Sequence, residues 1–127
     1  MKILLITDQH FGVRNDNQHF INHYARFYGK VVIPFIKASG IKEVISLGDT
    51  FDRRRYINFM SLDSAKEMWF DQLVKLGCNH TMLIGNHDIY YKNTLRVNAP
   101  HEILGEYNFD VIDKPTTKSY DGTDILL

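Results

Sequence analysis

An α/β fold in β-α-β-α-β order, on a mostly parallel sheet with flanking helices, is the class this sequence predicts. Three observations predict it. Short apolar runs recur at residues 2–7, 42–47 and 79–84, each stopped by a polar cluster, as buried strands are. Between them, apolar residues step by three and four, the period of one helix face. Connections of that length join parallel neighbours within one sheet.

In chain order, Lys2-Ile-Leu-Leu-Ile-Thr7 reads as a first buried strand. Over 19–39, Phe20, Tyr24, Phe27, Val31, Phe35 and Ala38 mark one helix face. Pro34 interrupts that pattern and predicts a kink or a split, since proline lacks an N–H and crowds the preceding turn. Gly40 supplies the stop. Lys42-Glu-Val-Ile-Ser-Leu47 is a second strand, ending in Gly48-Asp49. After an arginine-rich connection, Ser61 stands as the N-cap of a helix running to about Leu76, with Gly77 beyond it. Leu62, Ala65, Met68, Trp69, Leu73 and Leu76 follow helical spacing there and are core candidates. Asn79-His-Thr-Met-Leu-Ile84 is the third strand, ending in Gly85-Asn86-His87-Asp88. A weaker helix is predicted over 99–107 and a strand over 109–113; Pro115 breaks that run, and Asp121-Gly122 predicts a hairpin turn. No linker or repeat divides residues 1–127, so one domain is expected. Thr123-Asp-Ile-Leu-Leu127 has the pattern of a strand just beginning, so the expectation is the N-terminal part of a longer, here incomplete, domain.

Composition narrows the function classes. Apolar residues make up 44% of the 127, enough for a packed core, while 24% charged and 13% aromatic residues argue against disorder. Fifteen basic residues balance fifteen acidic ones, which excludes a broad cationic field and leaves nucleic-acid contact to a local patch. No apolar stretch approaches the roughly 20 residues that span a bilayer, and the first ten residues lack a signal-peptide pattern. A single cysteine, Cys78, predicts a reduced, cytoplasmic chain in which it is a small buried hydrophobe.

The chemistry concentrates where the strands end. The first delivers Asp8 and His10, the second Asp49 and Asp52, the third Asn86, His87 and Asp88. Ligands of open parallel sheets collect at the carboxyl ends of strands, so these side chains are expected in one crevice. Four carboxylates packed together demand a cation, and carboxylate with imidazole suits Mn²⁺, Fe²⁺ or Zn²⁺. No thiolate is in the set, which disfavours a structural zinc site. In extended chain the two-residue step from Asp8 to His10 puts both side chains on one side, where a single ion takes both. Gly48 and Gly85 let the backbone turn sharply out of each strand. Two metals clamp the attacking and leaving oxygens of a phosphoryl displacement, and His87 is placed to stabilise the phosphate or protonate the leaving oxygen.

Asp8-x-His10, Gly48-Asp49-x-x-Asp52 and Gly85-Asn86-His87-Asp88 resemble the first three motifs of the calcineurin-like metallophosphoesterases. Gly48-Asp49-Thr50-Phe51-Asp52 and its short gap to the third motif resemble the Mre11/SbcD nucleases within that superfamily. Tyr91-Lys92-Asn93, Asn98-Ala99 and Asp113-Lys114-Pro115-Thr116-Thr117 look like the T4-type phage recombination endonuclease subunits. The resemblance covers essentially the whole chain and implies a metallophosphoesterase fold in its N-terminal part. It assigns Asp8 and His10 to one metal, Asp49 to a bridge and Asn86 to the second metal. His87 becomes the catalytic histidine and Asp52 the group that orients it. Two divalent ions are implied, with Mn²⁺ preferred over Mg²⁺, Fe²⁺ or Zn²⁺. Also implied are DNA exonuclease and endonuclease activity in phage recombination and repair, a Rad50/SbcC-like ATPase partner, a homodimer through the second helix, and the host cytoplasm. The family's later metal-binding histidines have no counterpart here, which weakens the second metal site.

Plainer readings stand beside these. Asp8 with His10, and Asp49 with Asp52, also suit turn or helix caps, and Asp88 suits a cap as well as catalysis. Among the three consecutive arginines, Arg53 is the candidate phosphate contact by proximity; a solvated loop is the alternative. His19, His23, His80 and His101 have no partner pattern and read as surface or partly buried histidines. The rival functions are a phosphoesterase acting on a phosphoprotein or small phosphodiester, and an inactive fragment that binds a partner subunit or DNA.

Overall fold

The computed structural model describes residues 1–52, 59–84, 89–91, 94–98 and 107–127. Along the chain run β1 (Ile3–Ile6), α1 (Val13–Asp16), α2 (Gln18–Phe27), α3 (Ile33–Ser39), β2 (Glu43–Ser46), α4 (Phe59–Ala65), α5 (Asp71–Lys75), β3 (Asn79–Leu83), β4 (Ile89–Tyr91), β5 (Thr94–Asn98), β6 (Asp110–Ile112), β7 (Thr117–Tyr120) and β8 (Thr123–Leu126). Strands β1, β2, β3 and β6 lie in that order in one sheet, each parallel to its neighbour. This is the parallel α/β architecture expected, with β6 extending it by a strand. β4 pairs antiparallel with β5, and β7 with β8.

Burial orders the sheet. In β2, Val44, Ile45 and Ser46 are all buried, as a central parallel strand covered on both faces requires. β1 departs from the buried strand expected: Leu5 is 59% exposed, because β1 ends the sheet's strand order.

The first helical region is continuous but uneven. Asn17 caps α2 by accepting the His19 amide, and a widened π turn, Tyr28–Val32, joins α2 to α3. Pro34 sits at the start of α3, where its missing N–H and its ring are accommodated by that widening, so proline reshapes the helix without breaking it. The face that packs inward is led by Tyr28 and Ile36, while Phe20, Phe27, Val31 and Phe35 of the expected stripe are exposed. Gly40 closes α3 in the left-handed conformation.

The second helical region begins at Phe59, so Ser61 lies inside α4 and does not cap it. Ser61, Ala65, Trp69 and Leu73 recur at four-residue steps on one buried face, which explains why this serine is internal. A widened turn, Lys66–Phe70, precedes α5, and Gly77 follows with φ 69°. The expected strand over 109–113 is β6, and Asp121-Gly122 (φ 51° and 82°) turns β7 into β8. Residues 99–106 of the expected weaker helix lie outside the described residues, and Tyr107 is not helical. Cys78 is buried with its Sγ directed at the Ile41 carbonyl, and burial pushes its thiol pKa up.

His80 is fully buried in β3, deeper than its sequence context suggested. Its ring meets Trp69 at 6.0 Å, Phe70 at 6.1 Å and Phe109 at 4.7 Å, and its Nε2 lies 2.7 Å from Ser46 Oγ. Burial among these rings lowers its pKa from 6.5 to about 3, so the imidazole is neutral in the fold.

Two outcomes follow from this core. Leu73→Ala removes a fully buried side chain and is expected to lower stability by about 2–5 kcal/mol, measured by urea unfolding. His80 binds its proton less readily folded than unfolded, so its contribution is intact above about pH 6.5 and lost as pH falls toward about 3. Between those values stability declines by up to about 1.4 kcal/mol per pH unit on its account. His80→Asn should therefore show a shallower loss of urea stability on acidification than the wild type, and an equal slope contradicts this.

Candidate metal centre

The site is built on backbone pairing that continues after the strands have ended. β1 and β2 finish level, with Ile6 opposite Ser46. Beyond them the Leu47 amide donates to the Ile6 carbonyl (2.8 Å), Asp8 to Gly48 (3.2 Å), His10 to Asp49 (3.0 Å), Phe11 to Thr50 (2.9 Å) and Asp52 to Phe11 (3.0 Å). Along the first segment of this irregular ladder inward side chains alternate with outward ones, and along the second Thr50 and Phe51 are both inward between Asp49 and Asp52. Gln9, Phe11, Thr50 and Phe51 are buried, whereas Asp8, His10, Asp49 and Asp52 keep access to solvent.

Asp8 and His10 share a side for a different reason from the extended alternation expected. Asp8 (φ 51°), His10 (φ 48°) and Asp49 (φ 51°) all adopt the left-handed conformation, and Gly48 precedes Asp49 at φ 109°. Such backbone costs of order 1 kcal/mol or more per non-glycine residue, persists only where its surroundings over-determine it, and clusters at functional sites. The ladder and the buried anchors supply that determination here.

One ligand atom from each of Asp8, His10 and Asp49 falls within 4.8 Å of the others. His10 Nε2 lies 3.4 Å from Asp8 Oδ1, and its Nδ1 lies 3.1 Å from Asp52 Oδ1. Asp52 is 28% exposed and accepts from Nδ1, so the ring is oriented with its Nε2 toward Asp8. A histidine held by a carboxylate through one nitrogen and presenting the other is the arrangement of a metal-ligating imidazole. Two carboxylates and an imidazole at this spacing fit one divalent cation, whose charge offsets the repulsion between the carboxylates.

Neighbouring aromatic groups stay protonated. Tyr24 has its pKa raised by burial and, secondarily, by the Asp52 carboxylate. Tyr28 is pushed to about 12, chiefly by burial, against the lowering effect of the Gln9 amide that donates to its hydroxyl. Neither is a base near neutral pH.

Of the residues predicted from sequence, the structure brings together Asp8, His10, Asp49 and Asp52. Asn86, His87, Asp88 and Arg53 lie outside the described residues, as does His101. His19 and His23 are exposed on α2, and His80 is in the core. Sequence reasoning passed over Gln9. The signal available was a long polar side chain at the step between two candidate ligands.

Comparison with known proteins agrees with this geometry. The sequence profile of the calcineurin-like phosphoesterase family matches residues 1–127. The chain is 38% identical over 123 residues to Exonuclease subunit 1 of Enterobacteria phage T4, covering 96% of this chain and 36% of that protein. It therefore spans about a third of the length of the curated relative it matches. With the family profile running from the first residue to the last over an assembled Asp8, His10 and Asp49, the chain belongs to the calcineurin-like phosphoesterases.

Proposed function

We propose that this chain carries the metal-binding part of a DNA-cleaving phosphodiesterase subunit of phage recombination and repair. The observation that carries the proposal is the convergence of Asp8, His10 and Asp49 in a phosphoesterase chain similar to a phage exonuclease subunit. Asp8 and His10 would hold one ion, Asn86 a second and Asp49 would serve both, with Mn²⁺ the preferred metal. Divalent ions in such a pair activate water and stabilise the charge that develops on the phosphoryl oxygens. Asp52, which the resemblance assigns to orienting His87, also accepts from the Nδ1 of His10 and so turns the His10 Nε2 toward Asp8 and the ion. His87, next to Asn86 in sequence, protonates the leaving 3′ oxygen, and Arg53 pairs with a backbone phosphate. The word subunit in the relative's name favours an assembly. A Rad50/SbcC-like ATPase and a second copy of this subunit are the proposed members, acting on DNA in the host cytoplasm. No helix among the described residues is long and apolar enough to cross a membrane.

Binding and cleavage test separate parts of this. Asp49→Asn is expected to weaken Mn²⁺ binding, measured by calorimetry, by more than the roughly 10–100-fold typical of an outer partner. His87→Ala should leave Mn²⁺ binding in place and lower kcat for DNA cleavage by about 10²–10⁴-fold, the usual contribution of a positioned acid or base. Undiminished cleavage by both variants in the full-length subunit contradicts the proposal. A panel of DNA, phosphopeptide and small phosphodiester substrates decides the substrate class, and preference for either non-DNA group rejects the nuclease reading.

A further inference from the structure

We infer that Gln9 is the positioning residue of the metal centre, its buried amide clamped so that the backbone on either side aims Asp8 and His10 outward. The inference rests on reading Asp8, His10 and Asp49 as metal ligands. Gln9 is 4% exposed, and it stands between two residues held in the left-handed conformation. Its Nε2 donates to the Tyr28 hydroxyl at 2.9 Å, and its Oε1 accepts from the Ser46 hydroxyl at 3.4 Å. Ser46 Oγ in turn lies 2.7 Å from His80 Nε2. With the Nε2–H tautomer at His80, donation runs in one direction, from His80 to Ser46 to Gln9 to Tyr28. That tautomer makes every link a donor–acceptor pair.

The four side chains come from separate parts of the fold: the loop after β1, the turn after α2, the end of β2 and the start of β3. All four are buried, so water does not replace a lost partner. An apolar side chain of the same size fills the space equally well but leaves the loop free to rotate. An amide does not, because turning it puts a donor where an acceptor is required. Since successive side chains on this loop point opposite ways, fixing Gln9 inward fixes its neighbours outward. The strand-end ligands are thereby tied to the helical layer as well as to β2.

Gln9→Leu and Tyr28→Phe test this in the full chain; the second removes one oxygen without changing the packing volume. Mn²⁺ affinity is measured by calorimetry, amide hydrogen exchange at His10 and Phe11 is followed without metal, and urea midpoints are recorded alongside. Gln9→Leu is expected to weaken Mn²⁺ binding about 10–100-fold and to speed exchange at His10 and Phe11 while β2 and β3 stay protected. Tyr28→Phe should shift both readouts in the same direction by less, and it decides the matter if Gln9→Leu fails to fold. Wild-type Mn²⁺ affinity retained in the folded variants overturns the inference while leaving the metal centre intact. Absence of Mn²⁺ binding by the wild type overturns the metal reading and this inference with it.

Discussion

The parallel pairing of β1 with β2, carried several residues beyond the regular strands, is the constraint on which the site depends. A regular ladder would end at Ile6 and Ser46 and release two independent loops. Here amides of residues 8, 10, 11, 47 and 52 continue to find carbonyls across the gap, so the loops are one structure. That coupling makes left-handed backbone sustainable at Asp8, His10 and Asp49 together, because each of the three takes part in a hydrogen bond across the gap.

The same loops are anchored from below by aromatic packing. Phe11 meets Tyr28 at 5.6 Å, Tyr24 at 5.9 Å, Phe70 at 6.1 Å and Phe51 at 6.3 Å. Each of the two loops thus sends a phenylalanine into the core, and the two rings pack together. Fully buried rings of this size contribute stability through their area and orientation through their shape. Charge is carried on top of this layer and apolar bulk beneath it. The centre can therefore hold two carboxylates close together without placing either in the interior.

The first helical region shows how tertiary packing chooses between two plausible faces. Its apolar residues form adjoining stripes one position apart. The inward stripe runs through Tyr28 and Ile36, while Phe27, Val31 and Phe35 line an open groove with Leu5 of β1. Helical period alone supports both, since each steps by three and four. The widened turn before Pro34 rotates the helix, and the position of the sheet decides which stripe is covered.

What the sequence determined by itself is the order of elements and the strand ends at which Asp8, His10 and Asp49 gather. Apolar runs with branched residues, ended by Asp8, by Gly48-Asp49 and by the third motif, are local signals, and local signals survive without knowledge of the rest of the chain. The left-handed Asp121-Gly122 turn was legible for the same reason, because few residue pairs adopt it at low cost. Tertiary structure decided what depends on neighbours distant in the chain. Ser61 reads as a cap until the buried face it shares with Ala65 and Trp69 is known. His80 reads as a surface or partly buried histidine until three aromatic rings and Ser46 enclose it. Asp52 hydrogen-bonds His10, a partner 42 residues away, and Gln9 acquires its role only when Ser46 of β2 and Tyr28 after α2 converge on it. Candidate ligands are legible in residue type and spacing, whereas their orientation depends on hydrogen bonds between segments that no local pattern records.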